Sequence, residues 1–163
     1  MTCASCNKLV SFTAYPFNTM SYEYLFSLVN GIALIAWIIL ILFPFRPFTN
    51  QVLIGVVVTV LCVTYAVLVY QVLQPGAFKK FTSLQGVVSL LSSPGAALAG
   101  WIHYLAFDLV TGLFIANNAA KHGIPYVWLL PCLVFTFLLG PVGLLLYFLF
   151  RWALTKHYFT TNF

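Results

Sequence analysis

Acidic side chains are almost missing from this chain. It carries two, Glu23 and Asp108, against seven lysines and arginines in 163 residues. Charged residues make up 6% of the sequence, where a soluble domain carries about 25%. So few charges cannot cover a water-facing surface, which excludes an ordinary cytosolic enzyme. The 63% of apolar residues excludes a disordered chain. Two acids are also too few for a di-iron site of the Glu-x-x-His type. The net charge of +5 comes from scattered cations without a basic stripe, so no nucleic-acid partner is expected. Cysteine is sparse as well. Cys3 and Cys6 form one C-x-x-C with no second pair at zinc spacing, so no metal site is expected. Phosphate loops, nucleophile elbows and H-E-x-x-H motifs are absent too.

Long apolar runs are abundant. A spanning helix needs roughly 20 mostly apolar residues. Four stretches qualify, at about residues 24–43, 52–73, 96–116 and 127–150. The runs are continuous, not alternating, so helices are predicted over barrel strands. The predicted fold is all-α: a polytopic membrane four-helix bundle over residues 22–152. An N-terminal arm at 1–21 and a C-terminal tail at 153–163 flank it. The arm lacks the basic start and apolar run of a signal peptide. Between the second and third spans, Phe78, Phe81, Leu84, Val87, Val88 and Leu91 recur at helical spacing opposite Lys79, Lys80, Ser83 and Ser89. That pattern predicts an interfacial amphipathic helix, or with equal weight a loop packing the same stripe on the bundle. In a four-span chain, Lys8, Lys79, Lys80, Arg151 and Lys156 fall on one side, and Arg46 and Lys121 on the other. Both termini are therefore expected on the cytoplasmic or stromal side.

Polar residues inside the apolar runs carry the functional signal. An acid at a helix centre costs roughly 2.5–3.5 kcal/mol on insertion scales, and persists when it is paired, protonated or useful. Asp108 lies about 12 residues, or about 18 Å, into the third span. Trp101, Tyr104, Thr111 and Asn118 share its side of the helix and should turn inward with it. A functional role is weighed ahead of simple helix-tying by hydrogen bonds. On the first span, Glu23, Ser27, Asn30 and Gly31 form a second polar stripe able to face the third. The macrodipole accounts for Glu23 in a first turn, and Asn30 suits a packing amide. His103 precedes Asp108 by five residues, about 140° around the wheel, so the two do not share a face. Its readings, a site on a neighbouring helix or an interfacial histidine, are weighed equally. Gly55, Thr59, Cys62 and Ala66 give the second span a small-residue face for close packing. In the fourth, Gly140-Pro141-Val142-Gly143 predicts a kink. It serves packing, or walls a cavity for a flat apolar ligand.

Trp101-Ile-His-Tyr-Leu-Ala-Phe-Asp-Leu109 resembles a signature of the abscisic-acid-deficient-four-like family, the neoxanthin-synthase-related membrane proteins. Pro131-Cys-Leu133 and the run from Phe137 to Leu145 are similar to its second signature, and Leu25-Phe26-Ser27 with Asn30 to its first-helix pattern. The resemblance covers roughly residues 22–152. It implies four spans and a xanthophyll or related polyene as ligand. It points to His103 and Asp108 as catalytic candidates. Relatives are expected to carry an acid near Asn118 and a histidine near Tyr126, where this chain has an amide and a phenol.

The leading reading is a membrane protein that binds a carotenoid and, as an enzyme, isomerises an epoxide xanthophyll to an allene without a redox cofactor. Asp108 is its acid, and His103 or Glu23 its base. Trp101, Tyr104, Thr111, Asn30, Glu23 and Pro141 are its ligand-binding candidates. The competing reading is a non-catalytic pigment-binding or stabilising subunit of a larger membrane complex, photosynthetic among the candidates. The departures at Asn118 and Tyr126 favour it. A proton-coupled transporter ranks third, because the spans lack paired inverted halves.

Overall fold

The computed structural model describes residues 19–72 and 77–156. Cys3, Cys6, Lys8 and His157 fall outside the described residues. Every described element is a helix.

Helix α1 (Thr19–Leu42) ends where Pro44 and Pro47 forbid continuation. The Thr49 hydroxyl donates to the Phe43 carbonyl at 2.7 Å and pins the corner. Helix α2 (Pro47–Val52) opens on Pro47, whose missing N–H costs nothing at a first position. It runs through a π-helical stretch, Leu53–Val58, into α3 (Thr59–Val72). The Thr59 hydroxyl donates to the Ile54 carbonyl, 3.1 Å away and five residues back, across the widened turn. After a 3-10 helix (Ala77–Thr82) comes α4 (Leu84–Leu91), capped by Ser83, which accepts from the Gly86 N–H at 3.1 Å. Helix α5 (Pro94–Lys121) is capped by Ser93 and also starts on a proline. Two shorter helices follow, α6 (Tyr126–Leu139) and α7 (Pro141–Thr155).

Three helical rods are long and apolar enough to cross a membrane: Ser21–Leu42, Pro47–Val72 and Pro94–Lys121. The fourth expected span, 127–150, is not one helix, and the kink expected at Pro141 is a full reversal. At Gly140 the backbone takes φ 48° and ψ −96°, a region that side chains with a Cβ avoid. Pro141 then starts α7. The two helices fold back as an antiparallel hairpin: the Trp128 and Phe150 rings meet at 5.0 Å. Gly143 allows the contact, because a Cβ there would collide with Thr136 and the Cys132 carbonyl. At 1.5 Å per residue each arm is about 21–23 Å long, short of the hydrocarbon core of about 30 Å.

This reversal changes the layout of charge. Helix α1 starts beside the start of α5, where Tyr22, Glu23 and Pro94 share a cavity wall. Helix α7 ends beside the end of α5, where Arg151 reaches Asn118. The described chain therefore begins and ends at opposite ends of α5. Arg151 and Lys156 join Arg46 and Lys121, and only Lys79 and Lys80 among the described cations stay at the other end. The charge bias behind placing both termini on one side is lost.

Helix α5 is the hub. Around its first half, Ile102, Leu105 and Ala106 bury against Val29 and Ala33 of α1 and Leu61 and Leu68 of α3. Around its second half, Leu109, Leu113 and Ala116 bury against Trp37 and Leu40 of α1 and Leu129, Leu133 and Tyr147 of the hairpin. Between 3-10 helix and α4, Phe78, Phe81, Leu84, Val88 and Leu91 are exposed. The amphipathic stripe is thus helical and faces outward in the main.

Candidate functional site

The hairpin covers α5 only along its second half. Beyond the hairpin tip, α1 and the first half of α5 leave a groove with a cavity of about 360 Å³, walled by Tyr22, Glu23, Phe26, Ala97, Leu98 and Trp101. Ala97, Trp101, Tyr104 and Asp108 follow at i, i+4, i+7 and i+11, so they climb one face of α5 from the groove toward the tip. The Trp101 ring sits 6.0 Å from Phe26 and 5.5 Å from Tyr104. Its indole N–H donates to Asn30 Oδ1 at 3.0 Å, while Asn30 Nδ2 donates to the Phe26 carbonyl at 2.8 Å. Asn30 thus orients the indole and ties α1 to α5.

Asp108 lies where this face meets the hairpin. It is 8% exposed, and its Oδ2 has no hydrogen-bond partner. Gly140 touches it: a Cβ at Gly140 would stand 2.5 Å from Asp108 Oδ1. Glycine is needed there twice, for its positive φ and for the carboxyl beside it. The start of α7 and the end of α6 both lie at this tip. One turn before Asp108, the Tyr104 hydroxyl donates to the Leu138 carbonyl at 3.2 Å and satisfies one orphan acceptor at the end of α6. A buried carboxyl oxygen without a partner is costly in an apolar setting. It supplies one group able to give or take a proton, two turns along α5 from Trp101 and beyond the residues that wall the groove.

The other sequence candidates are distributed unevenly. Glu23 is exposed at the outer end of the same groove. Thr111 is half-buried, and its hydroxyl donates to the Phe107 carbonyl of its own helix at 2.8 Å. Pro141 is exposed at the tip, one residue past the contact with Asp108. His103 does not join Asp108. It faces α3, stacked on Phe107 at 4.5 Å and 5.4 Å from Tyr65, and lines a different cavity. Among the described residues, no three His, Cys, Asp or Glu side chains gather as a metal site would require.

One cluster escaped the sequence reading. At the far end of α5, Asn118 Oδ1 accepts from the Tyr147 hydroxyl at 2.6 Å and from Arg151 Nη1 at 3.2 Å. Arg151 is 2% exposed and sits 5.3 Å over the Phe148 ring. His122 Nδ1 lies 2.9 Å from the Asn118 carbonyl. Beside them, Asn50 and Asn117 exchange a reciprocal amide pair at 2.6 and 3.0 Å. Tyr147 and Arg151 are spaced i, i+4, the available signal. It was masked by reading Arg151 as the cation that ends a span.

No curated protein and no solved structure matches the chain. The model of the ABA DEFICIENT 4-like family matches residues 24–147, which takes in Asp108, the hairpin tip and the groove wall except Tyr22 and Glu23. The chain belongs to the ABA DEFICIENT 4-like family.

Proposed function

We propose that this chain is a multi-pass membrane protein that binds a xanthophyll in the groove between α1 and α5 and isomerises it. The observation that carries the reading is the buried Asp108 carboxyl, with an unpartnered Oδ2, on the same face of α5 as the groove-lining Trp101 and two turns farther along, with the Tyr104 ring between them. The rings offer flat apolar surface to a polyene. Asp108, in its neutral form, gives its proton to the epoxide oxygen. The C–O bond opens, and loss of a vinylic proton completes the allene. Asp108, then a carboxylate, takes that proton back and is regenerated. Atoms and electrons balance within the substrate, so the step needs no redox cofactor. His103 opens on another cavity and is not assigned a role in this step. Glu23 holds the outer part of the ligand, and Asn30 acts through the Trp101 indole that it orients.

The test is turnover in a host that makes the epoxide xanthophyll. Asp108→Asn keeps shape and removes the acid, so the allenic product should fall by about 100-fold or more. The purified variant should keep its melting temperature. Product formation at the native level would end the catalytic assignment.

A second reading, the accessory subunit, is favoured by one specific observation. Gly55, Thr59, Cys62 and Ala66 all face outward, uncovered by any described helix. A small-residue face of this kind lets a partner helix approach closely. Stoichiometric partner proteins after mild solubilisation, with pigment bound and Asp108→Asn silent, would favour that reading over the enzyme.

A further inference from the structure

On the side of α5 away from Asp108, a second cavity of about 220 Å³ opens between α3, α4 and α5. Val69, Leu90, Leu91 and Ala99 supply apolar wall, and the rings of Tyr65 on α3 and His103 on α5 meet at 5.4 Å along it. The 3-10 helix forms the outer rim. With three residues per turn, Phe78 and Phe81 share a face, their rings 6.4 Å apart, and Phe81 lines the cavity. Lys79 and Lys80 take the other faces, and both are exposed. Gly86 of α4 rests on the Lys80 backbone so closely that a Cβ would collide with it. That contact holds the lysine pair at the rim. No acid lines this cavity, and Glu23 belongs to the other one.

We propose that this cavity holds an acyl chain of an anionic glycerolipid, whose headgroup is bound by Lys79 and Lys80. Charge complementarity selects the occupant. Two adjacent cations stand beside an exposed apolar stripe, the arrangement that seats a helix at a lipid surface and draws anionic headgroups. Each such cation strengthens anionic binding by roughly fivefold. The cavity lets one chain leave the bilayer and enter the protein, which distinguishes a bound lipid from diffuse attraction.

The full chain, reconstituted in phosphatidylcholine nanodiscs doped with phosphatidylglycerol and analysed by native mass spectrometry, tests this. One phosphatidylglycerol should be retained in preference to phosphatidylcholine. The double variant Lys79→Gln/Lys80→Gln should weaken that retention by roughly 30-fold. Gly100→Leu should block it, because a Cβ at Gly100 meets the Leu91 side chain at an ordinary 3.5 Å and the larger group extends into the cavity. Arg46→Gln, at the other end of the molecule, should change nothing. Equal retention of the two lipids, or retention indifferent to the lysines, overturns the site. Should the variants not fold, the native chain decides alone. Its preference should weaken several-fold in 1 M salt, where the screening length falls to about 3 Å, and a salt-insensitive preference overturns the proposal.

Discussion

Asn118 is the residue on which one end of the molecule turns. A single amide oxygen serves a phenol and a guanidinium, both almost fully buried. Truncating it takes one acceptor from two donors, one of them charged, and hydrogen bonds to charged groups are worth about 1.5–3 kcal/mol. Asn118→Ala should therefore destabilise by about 3 kcal/mol, read as a drop in the thermal unfolding midpoint in detergent. Asn118→Asp keeps the accepting oxygen and sets a charge opposite Arg151. It should retain or raise that midpoint, and a fall as large as that of Asn118→Ala would contradict this account. Asp108 is the contrasting case. Its position inside an apolar run was legible, because a buried acid is costly wherever it is placed. Its neighbour Gly140 was not, since 32 residues separate them.

At the scale of the element, the G-P-V-G run reads differently once the hairpin is seen. Gly140 turns the chain, Pro141 starts the next helix, and Gly143 lets the two arms touch. Gly143→Ala drives a methyl into backbone atoms of α6, and such overpacking costs typically about 1–3 kcal/mol. Thermal unfolding should register that loss. Gly31→Ala is the matched comparison: nothing lies within 4 Å of its Cβ position. It sits inside α1, where alanine is favoured over glycine by about 0.5–1 kcal/mol, so it should be neutral or stabilising. If the two variants melt alike, the hairpin contact is not what Gly143 serves. A sequence pattern of proline and glycine marks a break in a helix but not its angle. The angle is set by which surface the second arm finds, here the second half of α5.

For the whole molecule, the hairpin decides topology. Lys156 belongs with Arg46 at one end and Lys79 at the other. In a background freed of native cysteines and embedded in sealed vesicles, Lys156→Cys and Arg46→Cys should react with an impermeant maleimide from the same side. Lys79→Cys should react from the opposite side. Labelling of Lys156→Cys together with Lys79→Cys would restore a straight fourth span. The same layout explains the two cavities. Helix α5 is packed along its second half by α1 and the hairpin, which stops partway, and along its first half by α1, α3 and the short α4. Space therefore remains on both sides of that first half.

Composition and local pattern alone determined the helical class, the three long apolar rods, their proline-marked ends and the acid buried in the third. Each follows from forces acting within about 20 residues: backbone hydrogen bonding, side-chain transfer and the steric rules of proline. The Trp101–Asn30 tie was legible as two polar stripes able to face each other, though not as a bond. Tertiary structure alone decided that the last apolar run folds back on itself, that its tip rests on Asp108, and that His103 serves another cavity. It also decided that Arg151 is buried on Asn118. These depend on contacts between residues more than 20 apart, where one glycine's conformation redirects an entire helix, and no local periodicity records where that helix will land.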